Sequence, residues 1–158
     1  MVKVIQKIKL YIYSIVVCLV VGLAVARIYP DIDAKFVSNY DADTITVDVN
    51  DWPAIIGEHI SVRINGIDTP EIKGGNEKTK ALAKEAKEFV NILLSGCSSI
   101  TLKNPQRGKY FRIVADIEFN GLDLGTILKA FNFAVEYKGD GPRPDWTKIL
   151  IDDPNVIN

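Results

Sequence analysis

Ile60, Val62 and Ile64 alternate with Ser61, Arg63 and Asn65. This is the period-two pattern of a strand with one face in a core, and it turns Arg63 away from the apolar face. The same alternation runs over residues 43–49, with Ile45, Val47 and Val49 on one side and Thr44, Thr46 and Asp48 on the other. It recurs over residues 111–119, where Ile113, Ala115 and Ile117 alternate with Arg112, Val114 and Asp116. Shorter strand-like pieces occupy residues 36–40, 99–103 and 133–137, separated by turn-forming stretches such as 51–57 and 104–108. Helical periodicity is strong in one place. Over residues 77–94, Leu82, Ala86, Phe89, Val90 and Leu93 form one stripe and Lys80, Lys84, Lys87 and Glu88 lie mostly opposite, with Ser95-Gly96 as the stop. Asp123 is a candidate N-cap for a short helix over residues 124–131.

These elements predict a mainly β, α+β fold: a five-stranded Greek-key barrel of the OB type, with one long and one short helix closing it. Residues 28–33 read as a linker. Residues 139–158, which contain Pro142, Pro144 and Pro154, show neither period and are expected to be irregular.

The first 27 residues follow a different rule. Lys3, Lys7 and Lys9 precede an uncharged run from Leu10 to Ala26, which Arg27 closes. At about 1.5 Å per residue such a run spans roughly 25 Å as a helix, close to the hydrocarbon thickness once the flanking cations snorkel. An uncleaved membrane anchor is one reading. A signal peptide cleaved after Ala24-Val25-Ala26 is the second, and a helix packed in the core of an intracellular protein is the third. The first two keep the lysines on the cytoplasmic side and export residues 28–158 as one domain, membrane-tethered or secreted. Val17 is too large for the residue before a lipidated Cys18.

Composition narrows the chemistry. The formal charge of −1 includes the three N-terminal lysines, so the rest of the chain carries −4. That is unlike the basic footprint of most nucleic-acid binders. Two cysteines, Cys18 in the apolar run and Cys97 beyond it, give neither a disulfide framework nor a cysteine zinc site. With His59 as the sole histidine, mechanisms that need two are excluded, and no nucleophile elbow accompanies it. His59 reads as a solvated residue on the strand face of Arg63.

The densest chemistry lies where the strand of residues 60–64 ends. Gly66 and Pro70 stop the strand, and Pro70 biases Thr69 out of the helical region, so Asp68 and Glu71 sit on a rigid turn. Two acids so close repel one another unless a cation lies near. A hard metal ion is a candidate for that cation.

Three motifs in order, Asp41-Ala42-Asp43-Thr44, Arg63-Ile64-Asn65-Gly66-Ile67-Asp68-Thr69-Pro70-Glu71 and Lys109-Tyr110-Phe111-Arg112, resemble those of the staphylococcal nuclease (thermonuclease) family, calcium-dependent phosphodiesterases on an OB-fold. The likeness runs from about Val37 to about Trp146. It implies that Asp43 and Asp68 ligate Ca²⁺ through carboxylate oxygens and Thr69 through its carbonyl, water completing a shell of about 6–8 oxygens. By the same resemblance Glu71 positions the attacking water, Arg63 and Arg112 clamp the phosphate, Lys109 and Tyr110 meet a terminal phosphate, and Tyr137 lies against a base. The expected substrate is DNA, with RNA as a second candidate. Phe111 stands where the family's type member has a small residue, Val135 replaces a base-facing tyrosine, and Ala42 replaces a common glycine. The alternative from another class is a catalytically inactive OB module that binds single-stranded nucleic acid at the cell surface. Taken singly, each acid or arginine also has an ordinary reading, as a turn residue or a solvated charge.

Overall fold

The computed structural model describes residues 29–109 and 112–152. In chain order these form β1 (Ile32–Asn39), β2 (Thr44–Asp48), α1 (Ala54–Gly57), β3 (Ile60–Ile64), β4 (Ile67–Asp68), α2 (Glu77–Ser95), β5 (Ile100–Arg107), β6 (Ile113–Phe119), β7 (Leu122–Asp123), α3 (Leu124–Ala130), β8 (Val135–Glu136) and α4 (Trp146–Asp152). The apolar run at the N-terminus lies outside the described residues. Among those residues no helix is long and apolar enough to cross a membrane.

β1 pairs antiparallel with β2 on one side and β5 on the other, β2 with β3, and β5 with β6. A parallel pairing of β3 with β6 then joins the two ends, so five strands close into a barrel with the strand order of an OB-fold. Closure leaves no free edge among the five. The alternation read from the sequence fills the interior: Ile45, Val47, Val62, Ile64, Leu102, Ala115 and Ile117 are all buried. One face of α2 joins this core through Ala86, Val90 and Leu94, and α3 adds Leu124 and Leu128. Capping follows side-chain chemistry. Asn76 accepts the amide of Thr79 at the start of α2, and Asp123 accepts that of Thr126 at the start of α3, as its N-cap position predicted.

Four expectations need correction. The linker assigned to residues 28–33 gives its end to β1, because Ile32 and Asp33 find backbone partners in Leu102 and Thr101. The turn assigned to residues 104–108 is instead an irregularity within β5, where Asn104 takes a positive φ of 48° and pairing with β6 resumes at Gln106. His59 lies just before β3, with φ 54° and an exposed side chain, so it does not share a strand face with Arg63. The largest correction concerns the tail. Residues 146–152 form α4, whose Trp146 and Leu150 pack against Leu82 of α2 in a second small core. Pro142 and Pro144 precede this helix and so cost it no internal hydrogen bond. Asp145 accepts the amides of Thr147 and Lys148 at its start.

Candidate active site

The site begins with strand register. Thr44 of β2 faces Arg63 of β3, so Asp43, the residue before β2, lies beside the Arg63 side chain. Asp43 is held from three directions: its carbonyl accepts the Ile64 amide at 2.8 Å, its Oδ1 accepts the Thr44 hydroxyl at 2.9 Å, and its amide donates to Asp41 Oδ1 at 3.2 Å. Burial, reinforced by the adjacent Asp43 charge, pushes the Asp41 carboxyl up to about 6. Asp68 arrives on the other side. The Asn65-Gly66 turn, with Gly66 at φ 73°, returns the chain into β4, which β8 pins by pairing Asp68 with Val135. Asp68 and Thr69 are consequently buried.

One guanidinium joins the two carboxylates. Arg63 Nη1 lies 2.9 Å from Asp43 Oδ2, and Nη2 lies 3.5 Å from Asp68 Oδ1 while donating to the Ile67 carbonyl at 3.3 Å. Asp43 Oδ2 is buried and, despite the short charge contact, has no hydrogen bond of acceptable geometry. A second guanidinium comes from the tail. Arg143 sets Nε 2.8 Å and Nη2 2.6 Å from Asp68 Oδ1 and pairs Nη1 with Glu71 Oε1, and the indole of Trp146 donates to Asp68 Oδ2 at 2.9 Å. Asp68, Glu71, Gly74, Gly75, Thr79, Arg143 and Trp146 help bound a cavity of about 240 Å³.

Asp43, Arg63, Asp68, Thr69 and Glu71 thus gather at one end of the barrel. Arg112 is not in the ion-pair cluster. It lies just before β6, one residue ahead of the Val62–Ile113 pair, lines a separate, more apolar cavity of about 590 Å³ with Trp52, Ile56 and Ile60, and keeps a buried Nε without an acceptor. Lys109 is exposed, and Tyr110 lies outside the described residues. Tyr137 is half-buried, its amide bound to the Gly66 carbonyl and its hydroxyl donating to that of Gly141 at 3.0 Å. The sequence reading missed Arg143 and Trp146. A lone arginine between two prolines has no periodicity to mark it. The available signal was Asp145 placed just before Trp146, Ile149 and Leu150, a cap followed by an apolar stripe.

The donor set suits a hard cation. The two carboxylates are oxygen ligands, as is the Thr69 carbonyl that the resemblance adds, but Asp43 Oδ2 already has the Arg63 guanidinium at 2.9 Å. Among the described residues no three His, Cys, Asp or Glu side chains converge to hold a metal, so water would have to supply much of the shell. Asp68 fits only if Arg143 gives way, because its oxygens already accept Arg143 and Trp146.

A family model described as Staphylococcal nuclease homologue matches residues 61–147, more than half of the chain. The chain belongs to that family. The match takes in Arg63, Asp68, Thr69, Glu71, Arg112 and Tyr137, together with Arg143 and Trp146. Asp43 lies before its first residue, and register with β3 brings it in. A comparison with curated proteins returns no match. Membership of the staphylococcal nuclease homologues points to nuclease or nucleic-acid-binding function.

Proposed function

We propose that this protein is a metal-dependent endonuclease that hydrolyses phosphodiester bonds of DNA, with RNA as a second substrate, and shows little sequence preference. The observation that carries the proposal is the convergence of buried Asp43 and Asp68 on one guanidinium, a pair of acids that needs a cation between them. Asp43, Asp68 and the Thr69 carbonyl would hold a hard divalent ion, which the family resemblance implies is Ca²⁺ and which all-oxygen donors suit. When bound, such an ion supplies Lewis-acid charge and a template for in-line displacement. Glu71, half-exposed at the rim of the cavity, orients the attacking water and takes its proton. Arg63, which bridges Asp43 and Asp68, would turn to a phosphate oxygen once an ion takes those acids, and Arg112, which lines a separate cavity, would have to swing toward the site to supply the second guanidinium. The family resemblance implies that attack at phosphorus expels the 5′-oxygen, leaving a 5′-hydroxyl and a 3′-phosphate. The N-terminal apolar run exports the domain and tethers it to the membrane or is removed.

One observation favours the second reading, a nucleic-acid-binding module without catalysis. Arg143 engages both Asp68 and Glu71, the two acids that hydrolysis needs free. The full chain, incubated with DNA or RNA in Ca²⁺ or chelator, separates the two. Cleavage that needs Ca²⁺ and is reduced about 10²–10³-fold by Glu71→Ala or Arg112→Ala supports the enzyme. Retention of nucleic acid without cleavage in any metal supports the module.

A further inference from the structure

Arg143 is a second cation, beside Arg63, that the described residues place against the acids of the site. It lies in the stretch between β8 and α4. Gly139 and Gly141 hold positive φ of 84° and 80°, Tyr137 ties down the Gly141 carbonyl, and Pro142 and Pro144 flank the arginine. Both ends of this stretch are anchored, by the pairing of β8 with β4 and by the packing of α4 on Leu82. The arginine is therefore delivered to one place, yet its side chain is 43 % exposed and can leave Asp68 by rotating about its own bonds, with α4 undisturbed. Asp68 Oδ1 carries contacts from Nε and Nη2 of Arg143 and a longer one from Arg63, while Oδ2 carries the Trp146 indole. An oxygen so engaged has little capacity left for a divalent ion, and a dication beside a guanidinium is repelled by it.

We propose that Arg143 is a positioning residue that exchanges with the divalent ion: it holds Asp68 and Glu71 in place in the metal-free protein and withdraws when the ion binds Asp68. The inference rests on the metal-dependent reading above. It makes the tail arginine a competitor of the ion: with Arg63 it offsets two of the three acids, Asp43, Asp68 and Glu71, and a weakly held cation does not displace the clamp. By linkage, whatever loosens Arg143 tightens the metal, and the metal frees the arginine by the same factor.

Trp146 is the built-in reporter, because its indole lies 2.9 Å from Asp68 Oδ2 and Trp52 is the other tryptophan of the chain. In a full-length Trp52→Phe background, Ca²⁺ is titrated by calorimetry and by Trp146 fluorescence, for the parent and for Arg143→Gln and Arg143→Lys. The exchange predicts an emission change with the same midpoint as the heat, and about tenfold tighter Ca²⁺ binding in Arg143→Gln. Arg143→Lys, which keeps the charge and loses the fork, falls between. Circular dichroism of each variant establishes that the fold is kept. Equal or weaker Ca²⁺ binding in Arg143→Gln, or binding without any change at Trp146, overturns the exchange and leaves the metal site standing. No Ca²⁺ binding by any of the proteins overturns the metal-dependent reading together with it.

Discussion

Arg63 has 20 % of its side chain exposed and serves two carboxylates that are almost fully withdrawn from water. Removing one partner of a buried ion pair leaves the other charge without compensation, which commonly costs about 3 kcal/mol or more. Asp68 would keep Arg143 and Trp146, so the loss falls mainly on Asp43. Arg63→Ala is therefore expected to lower unfolding stability by about 3 kcal/mol in urea titrations, with Ca²⁺ recovering part of it. A variant as stable as its parent would mean that Arg63 plays no part in compensating these acids. The same residues explain what was legible in the sequence. Arg63, Asp68 and Glu71 belong to one strand and one Pro-stiffened turn, so their relative placement is local. Asp43 joins them only through register, and Arg143 only through the packing of a helix some 75 residues downstream of Asp68.

Elements with a clear hydrophobic period were legible to within a few residues: β2, β3, β6 and α2 all bury the faces that alternation or the helical stripe assigned. What escaped was set by tertiary pairing. Ile32 and Asp33 become strand because β5 offers them partners, and α4 forms because Trp146 and Leu150 find Leu82. Leu150→Ala removes part of that contact and should cost about 2 kcal/mol, near the lower end for a buried leucine. Thermal unfolding measures it. Loss of Ca²⁺ affinity without loss of stability would instead assign α4 to the site alone. The start of α2 gives another test. Gly75 holds φ 62°, and a Cβ there would lie 2.1 Å from Thr79 Oγ1, which itself donates to the Asn76 carbonyl at 2.8 Å. Gly75→Ala must strain the backbone and disturb this hydrogen bond, an expected cost of about 1–3 kcal/mol read from the melting temperature.

On the scale of the whole molecule, a barrel closed by the β3–β6 pairing brings chain segments from both halves of the domain to one end, where the acids gather. Beyond its N-terminal lysines the chain is acidic, so broad electrostatic attraction to nucleic acid is weak and binding has to be concentrated at the site. A shallow dependence of DNA affinity on salt, equivalent to about two phosphate contacts, follows; a slope equivalent to six or more would point to a basic surface elsewhere. The proposed export makes its own prediction. Full-length protein expressed in bacteria should remain with carbonate-washed membranes or reach the medium after cleavage near Ala26, and protein confined to the soluble cytoplasmic fraction would contradict export. The central claim, that Asp43 and Asp68 form a cation site serving phosphodiester hydrolysis, is tested most directly by DNA cleavage by the full chain as Ca²⁺ is varied, compared with Asp43→Asn and Asp68→Asn. The account predicts cleavage that saturates with Ca²⁺, stops with chelator and is lost in both variants. Cleavage that persists in chelator, or proceeds unchanged in either variant, would contradict it.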